Sequence, residues 1–211
     1  MTTGAGRVWN GQSPEDRRAD RRARFIAAGI DIMGSDGAGA VTIRAICRHT
    51  KISERHFYEL FSTKDEFITS VYDQVLGDGA RLLSDLNIDE ASEATPDELL
   101  RTLLRAWIDF IGADPRRGRI IAVEGANNSV LARRGRRVAT DLMATYAAYT
   151  TGEQVDPANA AAREVTATVL FAGMWALLLA WQADGLENPM TKEQLIGHLV
   201  ALIQRAQAFG A

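Results

Sequence analysis

From Val165 to Ala183 the chain reads VTATVLFAGMWALLLAWQA, without one charged side chain. A helix that is apolar on every side needs cover on every side, from a protein interior, a subunit interface or a lipid bilayer. The segment is rich in Ala, Thr and Gly, lacks basic clusters at its flanks, and is the only one of its kind in the chain. Those features favour cover by protein over a membrane span. With no apolar run after Met1, the expectation is a cytoplasmic protein without a membrane partner.

The rest of the sequence repeats the helical theme, and no convincing period-2 strand occurs in it. Ser13-Pro14-Glu15-Asp16 combines an N-cap Ser, Pro at the first helical position and acids in the first turn. It opens a helix from Pro14 to Met33, stopped by Gly34. Thr42 caps a short helix, Ile43 to His49, and Ser53 caps a second one running through Phe61, with Leu60 and Phe61 in the core. A longer helix follows from Lys64 to about Leu86. Beyond it, Thr95-Pro96-Asp97-Glu98 opens a helix to about Ile111. Further helices cover Arg116–Gly125, Ser129–Thr150, Pro157–Gln182 and Lys192–Phe209.

Charge divides the chain in the same place. Residues 1–64 hold eleven Lys and Arg against seven Asp and Glu, a formal +4, which leaves −7 for residues 65–211 within the total of −3. The average therefore conceals a basic N-terminal domain (1–64) and an acidic C-terminal one (65–211).

The chemistry available is narrow. Cys47 is the one cysteine, and His49, His56 and His198 lack metal-ligand spacing. No nucleophile elbow, Walker motif or dinucleotide fingerprint appears. A non-enzyme without cofactor or metal is expected.

Two short capped helices joined by a tight turn form a helix-turn-helix pattern, whose second helix enters the DNA major groove. Thr42 and Ser53 stand at helix N-termini, where backbone N–H groups favour phosphate. Arg44, Arg55 and His56 can donate to guanine or phosphate, and Tyr58 and Lys64 are usual phosphate contacts. Hydroxyl caps open most helices, so pattern alone leaves an ordinary helix pair as the competing reading.

The residues go further than the pattern. The run VTIRAICRHTKISERHFYELFSTKDEF, Val41 to Phe67, resembles the DNA-binding segment of TetR-family transcriptional regulators. The matching positions are Thr42, Ile46, Ile52-Ser53, Phe57-Tyr58, Phe61 and Thr63 to Phe67, and the resemblance extends upstream to about residue 20. It implies an all-α fold: an N-terminal three-helix helix-turn-helix domain, then a C-terminal helical domain for ligand binding and dimerisation. It implies phosphate roles for Thr42 and Lys64, a base or phosphate role for Arg44, and recognition-helix contacts for Ser53, Arg55, His56 and Tyr58.

Two departures stand out. Lys51 occupies the turn position where the family usually has Gly; a left-handed conformation there costs about 1 kcal/mol and brings an amine near phosphate. Arg55-His56 replaces smaller residues, so an operator sequence cannot be transferred from relatives. The five arginines between Arg17 and Arg24 read either as a phosphate-contacting arm or as a solvated face paired with Glu15, Asp16 and Asp20.

For the C-terminal domain the resemblance implies a small-molecule effector and a homodimer. Trp107, Phe110, Tyr146, Phe171, Met174 and Trp175 are candidate pocket residues, with Glu124 and Asn128 as polar partners, although aromatics at helical spacing equally serve a plain core. Leu177 and Trp181 on the uncharged helix, with Leu195, Leu199 and Leu202 on the last one, are candidate dimer contacts in a four-helix bundle. The leading expectation is a repressor released from a pseudo-palindromic double-stranded operator by an effector. The alternatives are a helical adaptor without DNA binding and, last, an enzyme using the C-terminal pocket.

Overall fold

A computed structural model of the chain describes residues 13–86, 95–151 and 159–207, and every regular element among them is helical. Two compact units result, Met1–Gln74 and Val75–Ala211, and the division falls inside one helix.

The N-terminal unit begins with α1 (Pro14–Asp36). The Ser13 hydroxyl accepts from the Asp16 N–H and the Asp16 carboxylate accepts from the Ser13 N–H, both at 3.0 Å, which satisfies two otherwise orphaned donors. The predicted stop at Gly34 is corrected: Gly34 is buried within the helix, and the chain leaves it at Gly37, whose φ of 88° suits a residue without a Cβ. A single 3₁₀ turn (Ala38–Ala40) leads to α2 (Ile43–Thr50), α3 (Glu54–Tyr58) and α4 (Lys64–Ser84). α3 is shorter than its sequence suggested, because the backbone tightens at Glu59 and the Leu60 and Phe61 N–H groups both turn back to the Phe57 carbonyl.

Four phenylalanines build this core. Phe57 and Phe61 both meet Phe25 edge-on, with centroids at 5.6 and 6.4 Å, and Phe67 closes the cluster at 5.3 Å from Phe57 and 5.0 Å from Phe61. All four are essentially inaccessible, while Leu60 is only half-buried. α1 and α4 approach closely at Gly29: a Cβ there would overlap Val71 and lie 2.7 Å from Phe67 Cζ.

In the C-terminal unit α5 (Pro96–Gly112) repeats the reciprocal cap, with Thr95 and Glu98 as partners. The single helix predicted over Arg116–Gly125 is instead three segments, α6 (Pro115–Gly118), a π-helical turn (Arg119–Glu124) and α7 (Gly125–Asn127). α8 (Ser129–Thr151), α9 (Ala160–Gln182) and α10 (Lys192–Gln207) complete it. The expected start of α9 at Pro157 and end of α10 at Phe209 lie outside the described residues. Arg105 forks onto Glu193 at 3.1 and 2.8 Å, and Lys192 reaches Asp109 at 2.8 Å, tying α10 to α5.

α9 is long and apolar enough to cross a membrane by length and composition. Ala167, Trp175 and Leu178 are buried against the unit, whereas Val165 and Val169 are about two-thirds exposed.

Candidate nucleic-acid interface and effector cavity

The helix-turn-helix is fixed by its local chemistry. Thr42 Oγ accepts from the Ala45 N–H at 3.1 Å and starts α2. At the other end the Thr50 hydroxyl donates to the Ile46 carbonyl at 2.9 Å and accepts from the Ile52 N–H at 3.3 Å. Lys51 follows in the left-handed region, φ 57° and ψ 29°, as its glycine-like position in the turn required. Phe57 then plugs α3 into the aromatic cluster and leaves the opposite side of the short helix in solvent.

That side carries donors. Thr42, Arg44, Lys51, Ser53, Arg55, Tyr58 and Lys64 are exposed, and His56 is half-exposed. Tyr58 is 55% exposed even though its ring rests edge-on against Phe57, so its hydroxyl faces outward from a rigid base. Ser53 opens α3 without a side-chain hydrogen bond to the helix, leaving its hydroxyl for another partner.

The α1 arginines divide between two tasks. Arg24 donates to the Thr50 carbonyl at 2.8 Å, closing the end of α2, and Arg22 lies over the Phe61 ring at 5.5 Å. Arg17, Arg21 and Arg24 also line, with Lys51, Ser53 and His56, an open concavity of about 390 Å³ whose one acid is Asp20. Four permanent cations facing one hollow suit an anion.

Glu59 was missed by the sequence reading. Its carboxylate accepts from Arg55 Nε at 3.3 Å and from His56 Nδ1 at 2.9 Å, so it orients two donors of the recognition helix. The His56 hydrogen bond, chiefly, holds the Glu59 carboxyl below the usual range. The signal was present as i,i+3 and i,i+4 spacing.

The second candidate site lies wholly within the C-terminal unit. Trp107, Tyr146, Phe171 and Met174 line a cavity of about 160 Å³, together with leucines from five helices, and exposed Leu142 and Leu202 edge it. Trp107 crosses α4 at Gly79, where a Cβ would overlap the indole. Trp175 is behind the lining, 6.0 Å edge-on from both Trp107 and Phe171. Phe110 stacks on Trp107 at 5.6 Å, beneath the Arg117 guanidinium at 4.1 Å.

The polar groups assigned to the pocket from sequence stand elsewhere. Glu124 is buried in the π turn, with Arg119 Nε 3.7 Å away. Asn128 is an N-cap, its Oδ1 accepting from the Val130 and Leu131 N–H groups at 2.9 and 3.3 Å. Of the candidate dimer residues, Leu195 and Leu199 are buried within the chain, Trp181 donates to the Met190 carbonyl at 2.8 Å, Leu177 is half-buried and Leu202 is exposed.

Comparison with known proteins fits this geometry. Residues 25–71 match the family model described as bacterial regulatory proteins, tetR family. A TetR-like transcriptional regulator from Rhodococcus sp. RHA1 superposes with a TM-score of 0.63 at 18% identity, over 93% of this chain and 99% of that one. The fatty acid degradation regulator FadR from Bacillus halodurans gives 0.61 at 13%, over 95% and 96%. The multidrug binding protein EbrR, complexed with malachite green, gives 0.64 at 20%, over 87% and 98%. At these identities the likeness is one of fold. No curated protein sequence matches the chain.

Proposed function

We propose that this chain is a DNA-binding transcriptional regulator, acting as a homodimeric repressor that a small molecule releases from its operator. One observation carries the reading: within the tetR-type segment, Arg44, Arg55, Tyr58 and Lys64 are exposed around a helix pair locked by Phe57. Phosphate contacts from Thr42, Lys51, Ser53 and Lys64 would set the register, and Arg55 and His56 would read base edges. The α1 concavity extends the phosphate track.

Two copies are required to read a pseudo-palindrome, because the recognition helices must stand about 34 Å apart. The exposed Val165 and Val169 on α9 supply an apolar strip for a partner, with Leu177, Trp181 and Leu202 joining it, and Leu195 and Leu199 supporting α10 from within. The cavity is the effector site, and the neighbour EbrR with its bound malachite green is a precedent for a ligand in this fold. An effector that favours a conformer with wrongly spaced recognition helices weakens DNA binding, and DNA weakens effector binding by the same factor.

Selection of bound fragments from random duplex DNA tests the reading. A recovered palindrome supports it. Changing Arg44, Tyr58 and Lys64 together to Ala should abolish that binding, and unchanged affinity would sink the regulator assignment.

A further inference from the structure

The cavity is selective in what it lacks. Among the described residues its lining contains no Asp, Glu, Lys, Arg or His, and no amide side chain. Its one hydroxyl, on Tyr146, already donates to the Pro96 carbonyl at 3.3 Å. The remaining wall is Leu, Ile, Val, Ala, Met, Phe and Trp from α4, α5, α8, α9 and α10, and its one other polar side-chain group, the buried Trp107 indole N–H, makes no hydrogen bond among the described residues. Arg105 pairs with Glu193 and Arg119 Nε lies 3.7 Å from Glu124, and none of these four residues lines the hollow.

Two physical consequences follow. A charged ligand entering such a site would lose its hydration with no counter-charge and at most one indole N–H to replace it. A hydrocarbon surface loses nothing there and gains by leaving water. Size narrows the class further: an apolar cavity of about 150 Å³ stays dry and accepts a benzene-sized guest. The 160 Å³ here falls at that scale, and its exposed edge at Leu142 and Leu202 admits a substituent or second ring.

We infer that the cavity of the C-terminal unit binds an uncharged, hydrocarbon-like molecule of one or two rings and rejects both carboxylates and ammonium ions of the same shape. The inference rests on reading this cavity as the effector site. Specificity lies in exclusion by a wall without charge, not in an ionic anchor.

Calorimetric titration of the full-length protein, without DNA, with p-xylene, p-toluate and p-methylbenzylammonium tests it. These probes share one ring and differ in charge. p-Xylene should bind, and each charged congener at least about 100-fold more weakly. Two cavity-filling variants, Ala139→Leu and Ala167→Leu, should each weaken p-xylene binding by about tenfold or more while retaining the helical circular-dichroism spectrum. Either one that folds is sufficient for the comparison. Failure of p-xylene to bind, charged congeners within threefold of it, or binding indifferent to a folded filling variant would each overturn the inference. If p-xylene binds as expected but leaves DNA affinity unchanged, the ligand class stands and the effector reading falls.

Discussion

The N-terminal unit fills its centre with Phe25, Phe57, Phe61 and Phe67 at ring separations of 5.0–6.4 Å, whereas the C-terminal unit arranges Trp107, Tyr146 and Phe171 around an unfilled 160 Å³. Both use large aromatics, to opposite ends. A surface that reads base edges must hold its donors within a fraction of an ångström, which close packing provides. A sensor must keep space for a guest and tolerate a change of packing when the guest arrives. The proposed division of labour is thus visible as a difference in packing.

The largest effect should come from removing the keystone ring. Phe57→Ala is expected to cost about 3–5 kcal/mol, measured by chemical denaturation, and to eliminate DNA binding. Phe171→Ala removes the same ring from a half-exposed position beside the cavity, and a loss under about 2 kcal/mol is expected. Equal losses would break the contrast.

Adding volume should separate the units again. Gly29→Ala places a methyl against Val71 and Phe67, so a loss of about 1–3 kcal/mol is expected in thermal melting. Ala139→Leu places more atoms beside the cavity, and its melting temperature should hold or rise.

The turn allows a smaller test. Lys51→Gly relieves left-handed strain and should raise stability by up to about 1 kcal/mol, while DNA affinity falls through loss of the amine. A gain in both would show that the lysine has no place at the phosphate.

The smallest effect concerns Glu59. Its folded pKa lies below the ordinary 4.5, so its stabilising contribution is present above that value and disappears as the pH falls through the folded value. Glu59→Gln should therefore lower the melting temperature slightly at neutral pH and not at strongly acid pH. Operator binding by this variant reports whether the carboxylate orients Arg55 and His56.

Local chemistry made much of this readable from sequence. Ser13, Thr42 and Thr95 announced helix starts because an N-cap depends on residues within one turn, and each caps as read. Lys51, at the turn position where the resemblance puts Gly, takes the left-handed conformation that was weighed for it. Gly34 misled because burial against the rest of the unit overrides a single residue's helix propensity, and the stop waits for Gly37. Glu124 and Asn128 looked like pocket polars because sequence gives their chemistry without their direction; Asn128 immediately before Ser129 was legible as an N-cap. The dimer contacts depend on a partner's surface, about which one chain's pattern says only that Val165 and Val169 need cover.

The hollow in the C-terminal unit also bears on volume. A folded protein with internal void occupies more space than its unfolded chain and its water together, so compression favours unfolding. Hydrostatic pressure should therefore loosen the residues around Trp107 before those around Phe57. Any guest that fills the space removes that weakness, which makes pressure a label-free report of occupancy.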